Sequence, residues 1–270
     1  MEQLPMGLDA TVMCRCYQDG LCQPFPGAFF DEEGYLTVPE GDFAAFDDWL
    51  SSACPHPGME LVCERVSNWA GYRCFQQALG RTGWENYPTL AEHLPNANGG
   101  QLPARAARAA LEELLYFRDL PEVGLNVCLF ETASDEVIQE RVVGYDGKFV
   151  LGGRTGYDIG LDNETVFIER RETGEVVFQA ARVGQKVKTD RNGEVVSAEL
   201  TDLGSGTVWR GPLAIPGFVR QIGKLWRSTY PEALHVERRL EVPADYAYAT
   251  DALVRLFEAS IQTSNPVRWC

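Results

Sequence analysis

The sequence predicts an α+β fold in which a mainly helical N-terminal part packs on a C-terminal antiparallel β-meander with flanking helices. Apolar residues recur at helical spacing before Pro121, the period changes to that of strands at this proline, and short strands then alternate with regular turns. We therefore expect a mainly helical acidic part over residues 1–121 and an antiparallel sheet with two helices over residues 122–270. No flexible linker rich in Gly, Ser or Pro separates the parts, which predicts one shared core.

The N-terminal part is predicted to contain a short strand, an extended segment over residues 35–38 and three helices. Alternating residues favour a strand over residues 9–17, and Phe and Trp at helical spacing favour a helix over residues 42–50. Residues 60–79 carry apolar side chains at every third or fourth position and end at Gly80, a common stop signal. A third helix is predicted to begin near Pro103 and to end near Leu120.

The C-terminal part is predicted to form a meander, because its strand-like segments are short and are separated by Gly-containing turns. A helix is expected after Pro212 and through Trp226, and a last helix over residues 245–261. The predicted strands cover residues 123–131, 136–143, 148–151, 165–170, 175–183, 194–200, 207–209 and 234–242.

The charge of the chain restricts its partners. The net charge is −15, and residues 1–50 hold ten acids and one base. An acidic body repels phosphate backbones, so we expect no nucleic-acid partner. Such a charge is typical of solubility in cytosolic proteins, and it also suits a basic protein partner. The acidic N-terminus lacks the features of a secretory signal, and no run of about 20 apolar residues could span a membrane, so we expect a cytoplasmic protein.

The segment from Met6 to Met59 holds half of the eight cysteines and one of the three histidines. Cys14 and Cys16 would share one face of a strand, and Cys54 and His56 repeat the one-residue gap. Two thiolates on one zinc ion lie about 3.8 Å apart, which such pairs can satisfy. These four residues are therefore candidate ligands of a Cys3His zinc site, with Cys22 as a substitute ligand.

The alternative interpretation is that no cofactor binds here. Familiar zinc motifs use gaps of two to four residues, and neither pair has such a gap. Buried cysteines are common and chemically inert, and His56 could cap or hydrogen-bond a loop. Disulfides are not expected, because cytosolic thiols stay reduced and eight cysteines in 270 residues are far fewer than in a disulfide scaffold.

A set of short motifs in this segment also carries a family resemblance. They comprise Gly-Leu-Asp-Ala at residues 7–10, Cys14, Cys16, Cys54, His56 and Ser-Asn-Trp-Ala-Gly at residues 67–71. In these motifs the chain resembles a family of bacterial cytosolic proteins with no established activity, over roughly the first 80 residues. The family has an acidic residue between its Cys and His, where this chain has Pro55. The resemblance implies a cytosolic location and supplies no catalytic residue.

The chain lacks the spacing of common enzyme motifs. Residues 217–224 approach a phosphate-binding loop but have one residue too many, and no Gly-x-Ser-x-Gly elbow surrounds Ser205. We therefore favour an acidic cytosolic binding protein without enzyme activity, such as an immunity-type inhibitor that covers a basic toxin. The alternative is a zinc-dependent enzyme or a zinc-stabilised protein that uses the Cys3His set. Four protein ligands leave no open position on zinc, which favours a structural ion over a catalytic one.

Overall fold

The computed structural model describes residues 7–31, 34–39, 43–143, 146–153, 155–222 and 225–270. The chain divides into two compact units. Unit 1 comprises Met1–Val123 and Val242–Cys270, and unit 2 comprises Gly124–Glu241. The last helix and the last strand of the chain therefore belong to the same unit as the Cys/His segment.

Strands are the main regular structure. The helices are α1 (Phe43–Leu50), α2 (Trp69–Arg81), α3 (Pro88–His93), α4 (Ala104–Arg118) and α5 (Ala247–Thr263). The strands, in chain order, are β1 (Gly7–Met13), β2 (Phe29–Phe30), β3 (Leu36–Thr37), β4 (Glu60–Asn68), β5 (Gln101–Leu102), β6 (Gly124–Glu131), β7 (Val137–Glu140), β8 (Lys148–Gly152), β9 (Tyr157–Leu161), β10 (Val166–Arg170), β11 (Glu175–Ala180), β12 (Arg182–Thr189), β13 (Val195–Asp202), β14 (Val208–Gly211), β15 (Val219–Ile222), β16 (Leu225–Ser228), β17 (Ala233–Glu241) and β18 (Val267–Trp269). Among the described residues, none of the helices has the length and apolar character that crossing a membrane requires.

Unit 1 is built on an antiparallel sheet of four strands in the order β4-β1-β18-β5. Leu8, Ala10 and Val12 alternate along the central strand β1 and are completely buried, since this face of the sheet packs against helix α5. Helix α5 buries Leu253, Leu256 and Phe257 in return. The alternation in β1 thus fixes which face of the sheet forms the core.

The predicted fold class is wrong. The chain is mostly β, with 36% strand and 28% helix, and its N-terminal part contains a sheet where we predicted mainly helices. The predicted helix over residues 60–79 is in fact strand β4 followed by helix α2. Val62 and Val66 are four residues apart, a spacing that fits one face of a helix and equally one face of a strand. Helix α2 begins only where the side chain of Asn68 accepts a hydrogen bond from the backbone N–H of Gly71, at 2.8 Å.

Two other predicted helices of the N-terminal part are confirmed. Helix α1 matches the prediction for residues 42–50 from Phe43 onwards, and Asp42 lies outside the described residues. Helix α4 matches the helix predicted between Pro103 and Leu120. Both have apolar side chains at helical spacing with no competing strand pattern, which explains why the periodicity was sufficient.

Unit 2 contains one sheet in the order β11-β10-β9-β8 and another in the order β14-β13-β12-β17-β6-β7. Buried apolar side chains from both sheets form one core, with Ile159 and Ile168 from the first sheet and Leu129, Val183 and Leu200 from the second. All of its strand pairs are antiparallel. The core explains why these strands alternate between apolar and polar residues.

Most predicted strands of unit 2 are present, but the predicted single meander is wrong, because the strands form two sheets and β17 lies between β12 and β6. Two local features also differ. The predicted helix through Trp226 is wrong, because this stretch forms the antiparallel pair β15 and β16. Strand β9 was not predicted, since a glycine, Gly160, interrupts its short apolar run. Gly160 is needed there because a Cβ atom would collide with the ring of Phe167 on β10.

We predict that Trp269→Ala lowers the free energy of unfolding of unit 1 by about 3–5 kcal/mol. Trp269 on β18 is only 2% exposed, and its indole N–H donates to the carbonyl of His93 at 3.1 Å. Urea unfolding measures the change. Arg268→Ala is the matched control, because the Arg268 side chain is exposed, stacks on Tyr35 and should contribute about 1 kcal/mol or less. Equal losses in the two variants would contradict this assignment of the core.

Candidate metal centre

The pairing of β1 with β4 brings two distant segments together. Val12 faces Val62 and Met13 faces Glu60 across this pair. The backbone N–H of Cys14 then donates to the carbonyl of Met59 at 2.8 Å, one step beyond the last paired residues. Residues 14–59, which we call the inserted segment, therefore leave the sheet and return to it at adjacent points.

Four side chains of the inserted segment converge at this closure. The ligand atoms of Cys14, Cys16, Cys54 and His56 all lie within 4.8 Å of one another, so this group could hold a metal ion. The Sγ atoms of Cys14 and Cys54 are 3.7 Å apart. The Nδ1 atom of His56 lies 3.4 Å from the Cys16 sulfur and 3.7 Å from the Cys54 sulfur. The prediction that these residues converge is confirmed, and we call them the thiol–imidazole cluster.

Cys14 and Cys16, which we call the first arm of the cluster, lie in a turn rather than in a strand. We predicted a strand through Tyr17, but β1 ends at Met13. Cys14 and Cys16 are both buried in the turn, while the Arg15 side chain between them is exposed. The guanidinium of Arg15 donates to the carbonyl of Thr263 at 2.9 Å and pairs with Asp19 at 3.0 Å. This outward anchor leaves both thiols on the inner side of the turn.

Asn265 supports the same turn from the C-terminal end of the chain. Its side-chain amide donates to the carbonyls of Met13, at 2.8 Å, and Cys14, at 3.1 Å. Asn265 is itself buried, and its side-chain oxygen accepts from Gln18 at 2.7 Å. Sequence analysis did not identify Asn265, because a contact across some 250 residues leaves no local pattern.

Cys54 and His56, which we call the second arm of the cluster, lie in a tight bend of the backbone. Cys54 and His56 flank the exposed Pro55, and a single 3₁₀ turn, Pro57–Met59, follows. The Met59 N–H donates to the His56 carbonyl at 2.9 Å. Met59 has a φ of 57°, which is unfavourable for a residue with a long side chain. The surroundings maintain this conformation, since the side chain is completely buried and the carbonyl accepts from Cys14.

The cluster lies at the edge of a small apolar core. Leu36, Val38, Phe46 and Met59 are buried together with Cys14 and Cys16, and Tyr17, Phe25 and Trp49 pack around them. The rings of Phe46 and Trp49 stack with centroids 5.5 Å apart. Water is therefore largely excluded from one side of the cluster, which strengthens electrostatic interactions there.

Burial favours the neutral form of these thiols. It raises the pKa of Cys14 to about 12 and also raises the pKa of Cys16 above its ordinary value, with a further contribution from the neighbouring Cys54. A divalent cation reverses this preference, because thiolates are the metal ligands. Metal binding at the cluster would consequently release protons.

Cys22, the predicted substitute ligand, is not a member of the cluster. It is partly buried and packs against the same apolar core. Burial raises its pKa, and the proximity of Cys54 and Cys16 raises it further. Cys22 thus lies near the cluster without sharing its short distances.

Comparisons of the chain with models of protein families, with curated proteins and with solved structures found no match. The chemistry of the cluster must therefore be inferred from its own residues and their geometry.

We predict that Asn265→Ala lowers the free energy of unfolding by about 1–3 kcal/mol for each buried carbonyl that loses its donor. Urea unfolding of the reduced protein measures this loss. Gln18→Ala is the matched control, because it removes the hydrogen bond on the other side of Asn265 and leaves the carbonyls of Met13 and Cys14 satisfied. Similar values for both variants would mean that Asn265 does not support the first arm through these carbonyls.

Proposed function

We propose that the protein binds one zinc ion through Cys14, Cys16, Cys54 and His56, and that this ion is structural. The distances within the cluster support the proposal. Ordinary zinc bond lengths in a tetrahedral site separate two sulfurs by about 3.8 Å, and a sulfur from a nitrogen by about 3.6 Å. The cluster has 3.7 Å between two sulfurs, and 3.4 and 3.7 Å between sulfur and nitrogen. Little rearrangement is needed for an ion to enter.

The ligand types favour zinc over other common divalent ions. Calcium and magnesium prefer oxygen ligands, whereas three thiols and one imidazole suit zinc in a tetrahedral arrangement. Four protein ligands occupy every position of that tetrahedron, so no position remains for a catalytic water. The cluster therefore supports a zinc-stabilised protein in preference to a zinc-dependent enzyme.

The inserted segment has a physical need for such an ion. Among its described residues, the regular structure consists of the two-residue strands β2 and β3, the eight-residue helix α1 and a single 3₁₀ turn. A core of this size provides limited stabilisation, and small folds commonly add a metal or a disulfide. A zinc ion would join the two arms at the point where the segment leaves and re-enters the sheet.

We expect protein purified without added metal to contain about one equivalent of zinc per chain by elemental analysis. Cys54→Ser should reduce both the zinc content and the affinity, because oxygen is a poor substitute for a thiolate ligand. Cys22→Ser and Cys63→Ser are matched controls, since these thiols lie outside the cluster. Both variant proteins should retain the zinc ion. Chelation should increase proteolysis within residues 14–59. Wild-type protein with less than about a tenth of an equivalent would exclude the proposed zinc site.

A binding function is our second proposal, and it rests on the exposed aromatic residues of the inserted segment. Phe29, Phe30 and Phe43 are 48%, 37% and 52% exposed. Asp47 and Asp48 are exposed in the same segment. Exposed apolar side chains within an acidic segment are typical of a surface that binds a basic protein. We propose such a partner, for example a basic toxin that the protein inhibits, and the zinc ion would then order the segment that binds it.

We expect a bacterial lysate passed over the immobilised protein to yield a basic protein at low salt and to lose it at high salt, because salt screens the attraction. Phe29→Ser should reduce the recovery of that protein. Leu125→Ser is the matched control, since Leu125 is similarly exposed but lies in unit 2. Recovery of no basic protein at low salt, or equal recovery with both variants, would exclude this surface.

A further inference from the structure

We propose that a peroxide converts the zinc site into a disulfide between Cys14 and Cys54, with release of the zinc ion. This inference rests on the proposed zinc site and describes its regulation. The inserted segment would then have two alternative cross-links at one place, zinc in the reduced protein and a disulfide in the oxidised protein.

Exposure determines which thiol reacts first. The side chains of Cys14 and Cys16 are 2% and 7% exposed, whereas Cys54 is only partly buried. A peroxide molecule from solvent therefore reaches Cys54 before the other two. The sulfur of Cys14 lies 3.7 Å from the sulfur of Cys54. Cys14 is consequently in position to attack the oxidised Cys54 in the second step of disulfide formation.

The reaction has two steps. The zinc-bound thiolate of Cys54 attacks one oxygen of the peroxide, the O–O bond breaks, and Cys54 becomes a sulfenic acid as hydroxide leaves. The sulfur of Cys14 then attacks the Cys54 sulfur, the S–O bond breaks, and a second hydroxide leaves. Two thiolates thus lose two electrons in total, and hydrogen peroxide accepts them. Cys16 and His56 remain as two ligands, too few to retain zinc.

The backbone favours a disulfide between Cys14 and Cys54 over one between Cys14 and Cys16. Cys14 and Cys16 are held in one turn, where Cys14 donates to Met59 and the Cys16 carbonyl accepts from Leu21 at 2.8 Å. A disulfide between residues so close in sequence would strain that turn. Cys14 and Cys54 are 40 residues apart, so a bond between them closes most of the inserted segment. Cross-links that close long loops restrict the unfolded chain most.

The test uses the full-length, zinc-loaded protein in a Cys63→Ser, Cys270→Ser background, which removes the two exposed thiols outside the cluster. Zinc content is measured before oxidation. Hydrogen peroxide is then added, released zinc is followed with a chromogenic chelator, and disulfides are mapped by mass spectrometry. We expect one disulfide, between the peptides that contain Cys14 and Cys54, for each zinc ion released. A thiol reductant with added zinc should restore the metal site.

Cys22→Ser serves as the control variant, and it should give the same disulfide and the same zinc release. Absence of zinc before oxidation would show that the proposed function fails, independently of any reaction with peroxide. Release of zinc without a disulfide, or with a disulfide from Cys54 to Cys22 or Cys16, would overturn the proposed switch. The proposal of a zinc site would still stand. Protein that retains its zinc at peroxide levels that oxidise free cysteine would overturn the proposed switch equally.

Discussion

The antiparallel pairing of β1 with β4 is the constraint on which the rest of unit 1 depends. Its register places the end of β1 opposite the start of β4, with Met13 facing Glu60 and Cys14 donating to Met59. The sheet thus fixes both ends of the inserted segment. Cys14 directly follows β1 and His56 lies four residues before β4, so pairing of the two strands already brings the ligands close and removes part of the entropic cost of assembling the site.

The same sheet connects the candidate site to the C-terminal end of the chain. Strand β18 pairs with β1 on the side opposite β4, with Ala10 facing Trp269. Asn265 and Thr263, just before β18, hold the carbonyls and the guanidinium of the first arm. Thiols are thus positioned by buried amide and carbonyl groups of a well-packed unit, in the way that supporting hydrogen bonds orient metal ligands in general. The small apolar core around Phe46 and Trp49 packs against the same thiols.

Sequence patterns predicted many individual helices and strands, but they did not predict which distant strands pair with one another. Single hairpins of unit 2, such as β10 with β11, could be predicted because their strands alternate and a glycine-containing turn joins neighbours in sequence. The position of β17 between β12 and β6 could not, because it joins strands that are far apart in the chain. The mainly helical N-terminal part was wrong because the spacing of Val62 and Val66 fits two periods, and only pairing with β1 decides between them. The four residues of the cluster could be predicted from their types and paired gaps, although a turn rather than a strand presents Cys14 and Cys16. The role of Asn265 could not be predicted, because no pattern near it in sequence indicates a contact with a turn some 250 residues away.

Burial of the thiols limits how tightly the cluster can hold an ion. Removal from water raises the pKa of Cys14 to about 12, so part of the free energy of zinc binding is used to remove protons from buried thiols. Three thiolates around a divalent ion also leave one negative charge in an acidic protein, and the only base among the first fifty residues, Arg15, has its side chain exposed and paired with Asp19. Both effects weaken binding relative to a site with exposed thiols and nearby cations. A structural ion held with this balance stabilises the inserted segment and can still be lost when one thiolate is removed.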